Sequence, residues 1–297
     1  MSGGAVQILH IARTYKGSFF MGFCLNYKLS YKIKTKEGSK VKIINVKLSD
    51  ELKELHIIPI SDVHIGDKQA NLKLLKEVLK RIEEDDSTYT ILNGDLCNCA
   101  LKNSKSDVYE DQLSPMRQLE ELLELLEPIK DKILVMSSGN HEDRILKETN
   151  IDIAKLTAKQ LGIEDRYSNG WWYLYLRFGE KEKGSKRPMC YQITGYHGSG
   201  GGRKAGGKVN RLQEMSQVVV ADLYIMSHTH LPMSMKQQIW IPDYANNSLN
   251  KKEMYFLMSN SFLEPEGYGE KLGMTPNSNT PTEAVLSGTK RKIKTIL

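Results

Sequence analysis

The sequence predicts an α/β (α+β sandwich) fold, with two mixed β-sheets packed face to face and helices flanking them. Three observations carry that expectation. From residue 51, apolar runs alternate with amphipathic segments in a strand–helix–strand order, which implies parallel strands joined by right-handed crossovers. In the second half, strand-like runs follow one another with few helices between them. Strand after strand also ends in Asp, Asn and His, and ligands in open α/β sheets gather at the carboxyl ends of strands.

Residues 19–49 read as a β-rich preface. "FCLNYKLSYKIKT" and "KVKIINVKLS" alternate apolar and polar residues around the turn "KEGSK", and their lysines suit a solvent face or a protected edge. "LHIIPISDVH" is a buried strand running into polar residues. Pro59 inside it donates no N–H, so either the strand bulges there or that nitrogen faces away from a partner. "NLKLLKEVLKRIEEDD" places Leu72, Leu75, Val78, Leu79 and Ile82 on one helix face. "YTILNGD" is the next strand, "MRQLEELLELLEPIK" the next helix and "KILVMSSGNH" the third strand. "RILKETNIDIAKLTAKQLG" reads as one helix stopping at Gly162. "WWYLYLRF", "MCYQITGYH", "VVVADLYIMSH" and "EMYFLMSNSF" read as strands, with a helical piece near 208–217. This divides the chain into a basic β-rich extension (1–50), a main α/β domain (51–270) and a C-terminal tail (271–297).

The 297 residues, 40% hydrophobic and 26% charged, are ample for a core and ordinary for a soluble protein. No apolar run approaches the roughly 18 residues of a membrane span, and the first residues lack the pattern of a signal peptide. Cys24, Cys97, Cys99 and Cys190 form no CxxC pair or disulfide ladder, so a reducing, cytoplasmic location is expected. The net charge of +6 is uneven: residues 1–50 hold nine Lys/Arg and two Asp/Glu, whereas residues 51–297 hold 33 and 34. The end, "TKRKIKTIL", is basic again. Such arms can follow a phosphate backbone or be a solvated lysine-rich surface.

Five of the seven histidines lie in polar clusters: His64 in "SDVH", His141 in "GNHED", His197 in "GYHGSGGG", and His228 and His230 in "SHTH". Singly, several have ordinary readings. Gly94-Asp95 alone is a turn, and Asn140 alone is a helix N-cap. His228-x-His230 says more, because positions i and i+2 of an extended segment point to one side. Histidine with carboxylate is the ligand set of Mn, Fe, Zn or Co, and no thiolate set competes, Cys97 and Cys99 reading as apolar filler.

In order, "SDVH", "GDLCN", "GNHE", "YH" and "SHTH" resemble the motifs of the calcineurin-like metallophosphoesterases: D-x-H, GD-x-x-D/N, GNH-D/E, a later lone H, and GHxH. The resemblance spans residues 62–230; the "SHTH" motif departs from it in having Ser227 where glycine is usual, and small serine should cost only a slight backbone adjustment. It implies two divalent metal ions and hydrolysis of phosphate esters. One ion falls to Asp62, His64 and His230 and the other to Asn140, His197 and His228; Asp95 bridges them, Asn98 lends support, and His141 stands beside them. Manganese suits the mixed oxygen and imidazole ligands best, with Fe or Zn next.

Such a site makes charge sense. Two ions bring +4 and Asp62 and Asp95 bring −2, leaving about +2 to hold a hydroxide and a phosphate oxygen, with Asn140 an uncharged oxygen ligand. Metal-bound hydroxide would then attack phosphorus, with Asp95 bridging and His141 protonating the leaving oxygen. Gly139 is expected to let the backbone turn sharply into the site. Glu142 and Asp143 are expected to orient His141 or suit the start of a helix. Arg144 could reach a phosphate, although a surface ion pair is the plainer expectation. The glycine loop 195–208 carries Arg203, Lys204 and Lys208, no acid and no P-loop grammar, and is expected to grip substrate as a flap. Trp171, Trp172, Tyr173 and Tyr175 suit a strand core better than base stacking. The favoured substrate is a phosphodiester in DNA, RNA or a nucleotide. The alternatives are a phosphomonoester on a phosphoprotein or metabolite, or a scaffold role on the same fold. No membrane partner is expected, and a second copy of the chain could pair through the β preface.

Overall fold

The computed structural model describes residues 42–102, 104, 108–109, 111–181, 187–200, 202, 204–264 and 276–297. The strands expected before residue 42 lie outside them. Two six-stranded mixed sheets form the frame. The first has the order β1 (Lys42–Lys47), β6 (Trp172–Lys181), β7 (Pro188–Tyr196), β8 (Leu223–Met226), β10 (Ser248–Met258) and β9 (Met233–Asp243). The second runs β12 (Ile293–Ile296), β11 (Glu283–Ser287), β2 (Glu54–Ile60), β3 (Thr88–Asn93), β4 (Ile133–Ser137) and β5 (Tyr167–Ser168). In the second sheet β2, β3, β4 and β5 are parallel, as the alternating first half requires.

Side-chain alternation along these strands makes three apolar layers. Leu55, Ile57, Ile91 and Val135 of one sheet meet Leu174, Leu176, Ile193 and Leu223 of the other between the sheets. Ile58, Ile60, Leu92 and Met136 face outward onto α1 (Leu72–Glu84) and α2 (Pro115–Leu126). The outer face of the first sheet packs Tyr224, Met226 and Phe256 against Leu212 and Met215 of α5 (Ala205–Val218). Trp172 and Tyr173 are buried strand residues, as expected, while Trp171 stacks on Tyr196 with ring centroids 4.4 Å apart. Among the described residues no helix is long and apolar enough to cross a membrane.

Three expectations need correction. The helix over 144–162 is two helices, α3 (Glu142–Thr149) and α4 (Ile153–Gln160). Asn150 adopts a left-handed backbone (φ 58°) and its N–H bonds the Leu146 carbonyl, which ends α3, and the Asp152 carboxylate then accepts the Lys155 N–H to start α4. Asn150→Ala is therefore expected to cost about 1 kcal/mol of unfolding free energy while Asn150→Gly costs nothing, as a urea titration would record. Equal stability of the two variants would refute the assignment. Second, residues 283–296 are no loose tail: β11 pairs antiparallel with β2 through Ala284↔Ile57 and Leu286↔Leu55, and Ala284 and Leu286 are fully buried. Third, β1, placed with the N-terminal extension, pairs parallel with β6 as an edge of the first sheet.

Pro59 takes the second of the two arrangements open to it. His56 donates its N–H to Ser87 on the β3 side, so by alternation the Pro59 nitrogen faces β11, whose pairing stops at Ile57.

Candidate metal centre

The carboxyl ends of β2, β3 and β4 in one sheet meet the ends of β7 and β8 in the other. Segment 61–64 follows β2, 94–98 follows β3, 138–141 follows β4, His197 follows β7 and 227–230 follows β8. Three groups of ligand atoms result: Asp62, His64 and His230; His64, Asp95 and His141; and Asp95, His197 and His228. Within each group the atoms lie no more than 4.8 Å apart. His230 Nε2 is 3.1 Å from Asp62 Oδ1, and His197 Nε2 is 3.0 Å from Asp95 Oδ2. Asn140, on the exposed side, brings Oδ1 to 3.2 Å from His197 Nε2. All seven expected ligands thus converge, with Asp95 shared between groups and His141 beside it at 3.8 Å.

The backbone is strained where these ligands stand. Among the described residues eight non-glycines have positive φ, and five of them are Asp62, His64, Asp95, His228 and His230. Such conformations cost of order 1 kcal/mol or more each and persist only where surroundings enforce them. The glycines enforce them by close approach. A Cβ on Gly139 would stand 2.2 Å from Asp95 Oδ1, and one on Gly94 (φ 84°) would stand 2.6 Å from the Gly139 backbone. Gly139 therefore admits the Asp95 carboxylate at the place where the chain turns from β4 into α3.

Glu142 and Asp143 begin α3, one of the two roles expected of them, and Glu142 has a further task. It is buried, and its carboxylate accepts four backbone N–H groups: Asp95 at 2.9 Å, Leu96 at 2.7 Å, Cys97 at 3.0 Å and Gly139 at 2.9 Å. It builds the loop that carries Asp95 and leaves His141 alone. Burial and the neighbouring Asp95 push its carboxyl up to about 7, against the pull of those N–H groups. Asp143 accepts the Ser138 hydroxyl at 2.9 Å. Arg144 donates to His141 Nε2 at 3.0 Å and to the Asn98 carbonyl at 3.4 Å. That carbonyl also accepts the His141 Nδ1–H at 2.8 Å, so Asn98 supports His141 through its backbone. Burial, with Arg144 beside it, lowers the His141 pKa.

The loop cations are more dispersed. Lys204 is exposed at the start of α5, Lys208 donates to the Thr229 carbonyl at 2.8 Å, between His228 and His230, and Arg203 lies outside the described residues.

The electrostatics suit cations. Burial opposes charge on Asp62 and Asp95, but His230 beside the first and His197 and His141 beside the second hold both carboxyls below the usual range. Burial drives the His64 imidazole well below its usual pKa, which leaves it neutral and able to ligate. Among the described residues two buried ligand atoms, Asp62 Oδ1 and His64 Nε2, lack a hydrogen bond of good geometry, His230 Nε2 standing 3.1 Å from the first without completing one. Orphaned polar atoms of this kind are rare in native proteins, and a cation between them would satisfy both. The donor set therefore fits divalent metal.

The calcineurin-like phosphoesterase family model matches residues 55–256, more than two thirds of the chain. The chain belongs to the calcineurin-like phosphoesterase family. A search of curated proteins returns no match. Solved structures similar to it include a predicted phosphoesterase from Streptococcus pneumoniae (17% identity, 82% of this chain and 90% of that one covered, TM-score 0.36). Others are a metallophosphoesterase from Sphaerobacter thermophilus (15%, 82% and 89%, 0.37) and Vacuolar Protein Sorting 29 from Cryptosporidium parvum (12%, 82% and 97%, 0.38). The matched stretch contains all the residues of these groups, from Asp62 to His230.

Sequence reasoning missed Ser61, Asn93 and Ser259 as parts of this calcineurin-like site. Ser61 donates to Asp62 Oδ2 at 2.7 Å, and the Asn93 carbonyl accepts the His197 Nδ1–H at 2.8 Å, which leaves Nε2 facing Asp95. The signal was present, since each is a polar residue where an apolar strand ends: "PISD", "ILNG" and "LMSN".

Proposed function

We propose that the protein hydrolyses phosphodiesters with two divalent cations, manganese before iron or zinc. The observation that carries the reading is the run of three overlapping ligand groups joined by His64 and Asp95, with only two carboxylates among the ligands. The half holding Asp62, His64 and His230 would take one ion. The half holding Asn140, His197 and His228 would take the other, with Asp95 between them. When bound, the ions supply Lewis acidity to the phosphoryl oxygens and lower the pKa of a water.

The remaining work falls to the chain. Because His141 gives its Nδ1–H to the Asn98 carbonyl, Nε2 is its basic nitrogen; it would take up the proton released by the attacking water and then pass it to the leaving oxygen. Arg144, now on that nitrogen, is placed to exchange it for an entering phosphoryl oxygen. The preference for a diester in DNA, RNA or a nucleotide is supported by cations beyond the site. These are the nine Lys/Arg of residues 1–50, the run Lys290, Arg291, Lys292 and Lys294, and the exposed Lys204 in the segment that follows His197.

Hydrolysis of bis-p-nitrophenyl phosphate and p-nitrophenyl phosphate with added Mn tests the reading. The diester should be cleaved, and His141→Ala should lower kcat by about 100-fold or more with two ions still bound. Cleavage of the monoester alone would make this a phosphatase. Two bound ions without cleavage of either ester, or of DNA, RNA and cyclic nucleotides, would favour the scaffold role.

A further inference from the structure

Beneath the candidate centre lies a line of buried polar side chains that crosses from one sheet to the other. Ser61 Oγ is 2.7 Å from Asp62 Oδ2 and 2.7 Å from Ser259 Oγ. Ser259 Oγ is 2.9 Å from Ser227 Oγ, which lies 2.8 Å from Asn93 Nδ2. The Asn93 amide is saturated, since Nδ2 also donates to the Tyr196 carbonyl while Oδ1 accepts from Ser137 and the Trp172 indole. Ser61, Asn93, Ser227 and Ser259 are all at most 1% exposed.

The line is anchored at both ends. A carboxylate only accepts, so Ser61 donates to Asp62. At the far end Ser227 accepts from both Ser259 and Asn93. Between these two anchors the Ser61 and Ser259 hydroxyls lie 2.7 Å apart. Asp62 Oδ2 also accepts the His228 N–H at 3.0 Å, and its partner Oδ1 is the orphaned atom aimed into the centre. At the other end the Asn93 carbonyl fixes His197. Ser227 occupies the position where the motif usually carries glycine, and glycine could not close this line.

We infer that Ser227, Ser259 and Ser61 form a hydroxyl relay that positions Asp62 for its cation and ties it to the Asn93–His197 side of the centre. The inference rests on the two-cation reading above. All three serines are positioning residues, since none has a group among the ligand atoms. Deleting one hydroxyl breaks the line and leaves Asp62 Oδ2 less firmly held, whichever link is lost.

The test is Mn binding to the metal-stripped full-length protein by titration calorimetry, beside the melting temperature of the metal-free form. Ser227→Ala and Ser61→Ala should each weaken Mn binding about 10- to 100-fold. The double variant should be no weaker than the worse single one, because both cut a single line. Thr90→Ala removes an equally buried hydroxyl, bonded to the Ile58 carbonyl and unconnected to Asp62, and should shift melting only. Wild-type Mn affinity in either serine variant, or losses that multiply in the double, overturns the relay while leaving the two-cation reading intact. Failure of the wild-type protein to bind Mn or Zn overturns both.

Discussion

Asp95→Asn should abolish Mn binding at both halves of the centre and reduce diester hydrolysis by more than about 100-fold, beyond what loss of a supporting partner costs. Asp95 belongs to two of the three ligand groups, one with His64 and His141 and one with His197 and His228. Its two oxygens divide the work. Oδ1 accepts the His141 N–H at 2.8 Å, and Oδ2 faces His197 Nε2 at 3.0 Å. Asparagine preserves the first contact, so the chain should keep its fold. It replaces the second with an NH2 that cannot ligate. Calorimetric titration of the metal-stripped variant, with circular dichroism to verify folding, decides the matter. Two ions bound at wild-type affinity would remove Asp95 from the centre.

The largest effect on stability should come from a residue outside the ligand set. Glu142→Ala leaves four buried N–H groups without an acceptor. At about 1–3 kcal/mol for each unsatisfied group, the loss is on the order of 4 kcal/mol or more. That is a large share of the roughly 5–15 kcal/mol that holds an ordinary domain together. Glu142→Gln retains one oxygen and should lose about half as much, because its NH2 confronts the remaining donors. Urea unfolding gives the readout, with the midpoint falling and the slope unchanged. A midpoint within experimental error of wild type for Glu142→Ala would show that the loop around Asp95 is held by other means.

The polar strand ends were legible because two signals coincide there. An apolar run announces a buried strand, and a sudden Asp, Asn or His marks where it opens onto the carboxyl edge of the sheet. That logic reached Asp62, His64, Asp95, Asn140, His141, His197, His228 and His230. What it missed had no local signature. Glu142 looks like any acid in the first turn of a helix, and nothing near it in sequence says that it folds back onto residues 95–97. The break at Asn150 hides in an apolar pattern that continues through Ile151 and Ile153, because a left-handed residue alters direction and leaves composition unchanged. β9, "MSMKQQIWIPD", has no fully buried residue, so burial writes no clear apolar period on it. β11 is five residues long, and its partner β2 lies more than 200 residues earlier, so only the assembled sheet reveals it.

The way the ligand groups draw on both sheets has a mechanical consequence. Asp62 and His64 hang from the sheet of β2, and His230 hangs from the sheet of β8; Asp95 and Asn140 face His197 and His228 across the same seam. A cation in either half would act as a rivet through that seam, resisting any sliding of one sheet over the other. Loaded protein should therefore be stiffer along the strand direction than stripped protein, and the seam would open last at the end where the rivets sit.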